Sequence, residues 1–221
     1  MAASVIQIER TPNPDALRIL PGVTLLSGVP REYRFGDDCG GSPLADELLT
    51  IEGIRSVMIA PSFVSVVRSS AGFDWSRLRP QLLAVVADFL LSGRPAVLAR
   101  DDVGGPDFGE DLVSAQIHDV IERFVRPMVG RDGGDVTLLR FDPATGVAHV
   151  RMSGACGGCP SGTTTLKRGI EQAIRRYVPE VTAVEAGLPK SGGDPRARFR
   201  AWVAARWGGK TGTTIPPEPF Q

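Results

Sequence analysis

This sequence predicts an α/β protein of the α+β kind: two small mixed domains followed by a C-terminal extension. Three observations predict it. Short β-branched runs alternate with helical spacings of apolar residues as far as Gly187. A stretch rich in glycine and aspartate, Arg100 to Gly109 (RDDVGGPDFG), interrupts that alternation with no periodicity of its own. From Lys190 onward the composition turns basic, with interspersed aromatic residues. The expected divisions are residues 4–99 for the first domain, 100–109 for a linker, 110–187 for the second domain and 188–221 for the extension.

In chain order, Val5-Ile6-Gln7-Ile8 reads as a first strand. Thr11-Pro12-Asn13-Pro14 is a turn, since two prolines fix φ and Asn13 is held extended by the proline after it. Arg18 to Gly22 reads as a short strand closed by a turn. Ser42 and Pro43 supply an N-cap and a first helical residue for a helix carrying Leu44, Leu48 and Leu49, with Gly53 placed to stop it. The runs Ile54 to Ala60 and Phe63 to Arg68, split by Pro61-Ser62, read as a hairpin. Leu78, Leu82, Val85, Val86 and Phe89 then mark one face of a helix ending near Ser92-Gly93.

The second domain reads α-β-β-α-β. Val113, Ile117, Val120, Ile121, Phe124, Val125 and Met128 mark an amphipathic helix, which Gly130 to Asp135 breaks. Gly133-Gly134-Asp135 is better read as a turn into a hairpin than as a phosphate loop. That hairpin joins Val136–Phe141 to Val147–Met152 through Asp142-Pro143-Ala144-Thr145-Gly146. After the loop Ser153 to Ser161 comes a helix with Leu166, Ile170, Ala173, Ile174 and Tyr177 on one face, and a last strand lies near Val181 to Glu185. In the extension, Asp194-Pro195 would cap a short helix carrying Phe199, Trp202, Val203 and Trp207; from Gly208 onward the chain reads as disordered.

Composition bounds the function. With 25 basic and 25 acidic residues the formal net charge is zero, which gives no reason to expect nucleic acid as a partner. The most apolar run, Leu82 to Leu91, contains Asp88 and is too short to span a bilayer, so no transmembrane segment is expected. Three cysteines do not make a disulfide framework, and with neither a signal peptide nor an Arg-rich leader evident the expected location is cytoplasmic. No Ser-His-Asp set, recognisable carboxylate pair or Walker loop is present, so an enzyme is not expected.

Chemistry concentrates in Ser153-Gly154-Ala155-Cys156-Gly157-Gly158-Cys159-Pro160-Ser161. The glycines between Cys156 and Cys159 let the backbone curl so that both sulfurs point the same way. Placement at a helix start favours thiolate over thiol. A pair of buried structural cysteines, a thiol–disulfide oxidoreductase pair and a zinc site shared between chains all use this spacing. The oxidoreductase is the main alternative, and the antiparallel hairpin preceding the loop argues against it. Cys39, lone and in the other domain, reads as an incidental loop thiol. His149 reads as a solvent-facing strand residue and His118 as part of a helix's polar side.

The runs GGDVTLLRF (Gly133 to Phe141) and GACGGCPSGTTTLKRGIEQAIRRYVPEV (Gly154 to Val181) resemble the C-terminal domain of NifU, the Nfu domain. TPNPDALRILPG, SPLADELLTIEGI and the Phe63 to Val67 strand resemble the N-terminal domain of two-domain Nfu proteins. The resemblance implies an iron–sulfur cluster carrier that holds a [4Fe–4S] cluster between two subunits through Cys156 and Cys159. It also implies apo iron–sulfur proteins and upstream assembly factors as partners, and a homodimer when loaded. Cluster iron takes four thiolates, and two per chain call for a second chain or an external thiol. The first domain, with no ligand chemistry of its own, reads as a docking or regulatory surface.

Overall fold

The computed structural model describes residues 5–37, 39, 41–70, 72–98, 111–158 and 163–187. The expected linker, the extension and Cys159 lie outside them.

The first half contains β1 (Gln7–Arg10), β2 (Ala16–Leu20), β3 (Arg31–Arg34), α1 (Pro43–Leu49), β4 (Ile54–Ile59), β5 (Val64–Arg68) and α2 (Trp75–Ser92). Its sheet runs β1-β2-β5-β4-β3, with every neighbouring pair antiparallel. The expected hairpin is β4–β5. Strand β1 forms two residues later than the apolar run suggested, because pairing with β2, Gln7 opposite Leu20 and Arg10 opposite Leu17, sets its limits. Strand β3 was not anticipated. Its sequence, Arg-Glu-Tyr-Arg, is that of a polar edge strand, and it pairs only on its β4 side among the described residues.

The helix ends follow their chemistry. Ser42 Oγ accepts from the Ala45 amide at the start of α1 and donates to the Ala96 carbonyl at 2.7 Å, tying α1 to the segment after α2. Helix α1 closes at Thr50, and Gly53, at φ 94°, turns the chain into β4. Helix α2 is capped by Asp74 and closed by Gly93 in the left-handed region.

Both faces of this sheet are covered. Ile19, Val57, Ile59, Val64 and Val66 meet Leu44, Leu48, Leu82, Val86 and Phe89 of the two helices in one core. The alternate residues Leu20, Met58, Ala60 and Phe63 cluster on the opposite face, and Ala16 and Val67 pack there against Ala155 of the second half. Burial on two sides accounts for the near-continuous apolar runs in β4 and β5.

The second half holds α3 (Leu112–Val120), a π-helical turn (Ile121–Val125), α4 (Arg126–Arg131), β6 (Gly134–Asp142), β7 (Val147–Gly154), a 3-10 turn (Ala155–Gly158), α5 (Thr163–Tyr177) and β8 (Ala183–Ala186). The expected single helix is thus interrupted. At the break the Arg126 amide donates to the carbonyl of Ile121. Pro127 follows, and its ring would crowd the carbonyl four residues back in a regular helix; the wider turn relieves this. The helices pack on the sheet through Ile117, Ile121, Val125, Val136, Val150, Ile170 and Ile174 in a second core. Phe124 and Tyr177, expected on the buried faces, instead lie half exposed and stack on each other at 4.6 Å.

The sheet order is β6-β7-β8, with β6–β7 antiparallel and β7–β8 parallel. The connection between the parallel strands runs through the cysteine loop and α5. The solvent-facing reading of His149 is corrected: it is 4% exposed. Strand β7 is central, with Arg140 and Glu185 flanking His149, and its Nδ1 lies 3.2 Å from the Gly187 carbonyl. A register shift in β6 between Leu138 and Arg140 breaks simple alternation there.

Candidate metal centre

The cysteine loop begins where β7 ends. Gly154, at φ 61°, turns the chain, and a Cβ there would sit 2.5 Å from the Gly133 carbonyl and 2.7 Å from Met58 Cε. The Ala155 amide donates to that same Gly133 carbonyl at 3.0 Å. The 3-10 turn Ala155–Gly158 then carries Cys156, and α5 starts at Thr163, so the loop stands ahead of a helix start as expected.

Cys156 is buried: it is 6% exposed and packs with the second core. The residue that makes room for it is Gly134, where a Cβ would lie 2.0 Å from Cys156 Sγ and 2.9 Å from Cys156 Cβ. Of the Gly-Gly-Asp segment expected as a turn, Gly133 (φ 76°) makes the turn, while Gly134 and Asp135 are already paired in β6 opposite Gly154 and Ser153, and Gly134 is also the cradle for the sulfur.

The first half reaches this loop. Asn13, in the Thr-Pro-Asn-Pro turn and 4% exposed, donates from Nδ2 to the Ala155 carbonyl at 2.9 Å, while its Oδ1 accepts from the Asp15 amide. Glu32 of β3 accepts the Gly154 amide at 3.2 Å. A cavity of about 240 Å³ opens beside Cys156, lined by Pro12, Asn13, Asp132, Ala155, Thr165 and Leu166. Glu32 was not singled out from the sequence, and Asn13 and Gly134 were read only as parts of turns. Its place between two prolines was the signal available for Asn13.

Behind the cradle, Asp135 is 1% exposed and accepts from Arg126 Nε at 2.7 Å. Arg126 also pairs with Glu122, which lies 3.7 Å from His118 Nε2, so these groups run along one side of the interrupted helix. Burial pushes the Asp135 carboxyl up from its ordinary range, with Arg126 pulling against it. A carboxyl with a raised folded-state pKa contributes most stability when protonated and loses it as pH rises from the unfolded value through the folded one. Asp135→Asn keeps an acceptor for Arg126 and should cost about 1 kcal/mol. The wild-type advantage in urea midpoint should shrink between pH 4 and pH 7; an advantage that grows would show Arg126 outweighing burial.

Cys39 belongs to the first core, with Sγ 3.6 Å from the Asp37 carbonyl, and so stands in a different core from Cys156. Among the described residues no three His, Cys, Asp or Glu side chains gather as for a metal ion. No helix among them is long and apolar enough to cross a membrane. The hairpin before the loop is antiparallel, as expected, but β7, α5 and β8 form a parallel βαβ unit with the Cys-x-x-Cys motif in its connection. Topology therefore does not separate a carrier from an oxidoreductase.

Family models match both halves: "Scaffold protein Nfu/NifU N terminal" over residues 6–93 and "NifU-like domain" over residues 117–185. The human NFU1 iron-sulfur cluster scaffold homolog, mitochondrial, is 36% identical over 181 residues, covering 81% of this chain and 70% of the human protein. NifU-like protein 4, mitochondrial, of Arabidopsis thaliana is 38% identical over 186 residues, covering 81% of this chain and 65% of its own. A solved NifU-like protein from Saccharomyces cerevisiae aligns over 45% of this chain and 92% of its own at 20% identity and a TM-score of 0.41. The cytoplasmic expectation is overturned here, since both of these relatives are named mitochondrial.

Proposed function

The chain belongs to the two-domain Nfu/NifU-like family, and from that premise we propose that it is an iron–sulfur cluster scaffold or carrier rather than an enzyme. Its cargo is a [4Fe–4S] cluster held through Cys156 and Cys159 of two copies and passed to apo iron–sulfur proteins, with upstream assembly factors as donors. The observation that supports this reading is the cradle at Cys156: Gly134 keeps clear the space that the sulfur occupies, in a Cys-x-x-Cys loop that lies within the span 117–185 matched by the NifU-like domain. Thiolate is the ligand that cluster iron takes, four are needed, and one motif supplies two. A symmetric pair of chains supplies the rest through one repeated surface.

The residues have separate tasks. Cys156 and Cys159 bind iron. Gly134 and Gly154 fix where Cys156 sits, through the space at its sulfur and the turn before it. The anionic cargo also lies before the start of α5, where backbone N–H groups favour negative charge.

Anaerobic reconstitution followed by a sizing column tests the stoichiometry. Loaded protein should elute as a dimer with about four irons per two chains, and chelation should return it to monomer. A monomer carrying four irons per chain and no small thiol would defeat the shared site. An oxidoreductase would instead stay colourless and cycle Cys156 and Cys159 between dithiol and disulfide.

A further inference from the structure

A cluster shared by two copies requires both cysteine loops to face one another. In this chain that face is occupied. Pro12 and Asn13 line the cavity beside Cys156, Asn13 holds the carbonyl of the residue before Cys156, and Glu32 holds the amide two residues before it. Met58 packs so close to Gly154 that no side chain fits between them. The hydrogen bonds join side chains of the first half to backbone of the loop itself, and residues up to Leu188 form one compact unit.

We propose that in the metal-free chain the first half is an intramolecular cover for the cysteine loop, lying where the second copy must lie when a cluster is shared. The cover has to withdraw before two loops can meet. This rests on reading Cys156 as a cluster ligand, but the cover itself is a property of the metal-free chain. Asn13 is its central fastening, because its buried carboxamide ties the turn to Ala155 and, through Asp15, to the start of β2. The occupant that displaces it is a second copy of this chain, the partner that completes a four-thiolate set.

Alkylation of the reduced, metal-free, full-length chain by N-ethylmaleimide, read residue by residue through peptide mass spectrometry, tests the cover without any cluster. Wild-type Cys156 should react at least about tenfold more slowly than in the urea-unfolded chain, since reaction waits on local opening. Removing one buried hydrogen bond in Asn13→Ala should speed it about fivefold. Glu32→Ala should act in the same direction. Cys39, buried in the first core, is the internal control and should keep its wild-type rate. Wild-type Cys156 reacting as in urea would overturn the proposal, and so would Cys39 and Cys156 accelerating together in both variants. On anaerobic loading, Asn13→Ala should dimerise faster than wild type by a similar factor; equal rates would refute competition with the second copy. A chain that never binds iron, yet shields Cys156 and releases it in Asn13→Ala, would defeat the carrier reading and leave the cover standing.

Discussion

Replacing Cys156 or Cys159 by serine is expected to abolish stable cluster binding, whereas Cys39→Ser should leave it intact. A hydroxyl does not supply the soft, readily ionised donor that cluster iron takes. In a shared site each substitution removes two of four ligands, so the loss should exceed the roughly 10–100-fold that follows loss of an outer-sphere partner. Iron and sulfide per chain after anaerobic desalting, with the visible absorption spectrum, give the readout. Full cluster content in Cys156→Ser beside depletion in Cys39→Ser would reverse the assignment. Cys39 is an adequate control because it packs in the first core, apart from Cys156.

Gly134→Ala is expected to damage the site without touching a ligand. The added methyl would lie 2.0 Å from Cys156 Sγ and 2.9 Å from its Cβ, so the whole side chain must move. Overpacking of this kind costs about 1–3 kcal/mol. Because the displaced atom is the donor itself, cluster content should fall together with the urea midpoint. Gly169→Ala is the matched control: it lies inside α5 with nothing within 4 Å of the added carbon, and should stabilise by about 0.5–1 kcal/mol. If both variants load to wild-type levels, Gly134 is an ordinary strand residue and no more.

Most of the fold was legible because local chemistry and tertiary packing agree. Ser42 caps α1 through its hydroxyl and Gly93 ends α2 in the left-handed region, both as expected, and the two hairpins form from their β-branched runs. Failures fell where neighbours decide. Strand β3 has a polar sequence and exists because β4 offers it an edge. The helix over Leu112–Arg131 looks uniform in its apolar spacing, yet Pro127 imposes a wider turn that periodicity does not record. His149 looked solvent-facing because alternation along one strand says nothing of what covers the outer face.

The site was legible in its ligands and not in its surroundings. Cys-x-x-Cys spacing is local, so Cys156 stood out in the sequence. Asn13 lies 142 residues away in the chain, and Gly134 matters only for the carbon it lacks. Neither relation leaves a periodic trace. The expected division of labour, ligands in one half and docking in the other, meets a loop whose backbone is held by Asn13 and Glu32 of the first half.

The face that Leu20, Met58, Ala60 and Phe63 present on the first sheet has a thermodynamic consequence of its own. Apolar surface stripped of cover meets water at a cost proportional to its area. A chain whose halves part therefore exposes two surfaces at once, the loop and this sheet face, and the parted form is a transient rather than a reservoir. Whatever engages the loop gains most by arriving as the sheet face closes on something else. Capture then competes with reclosure, so its pace follows both the abundance of newcomers and the strength of the bonds that must first be broken.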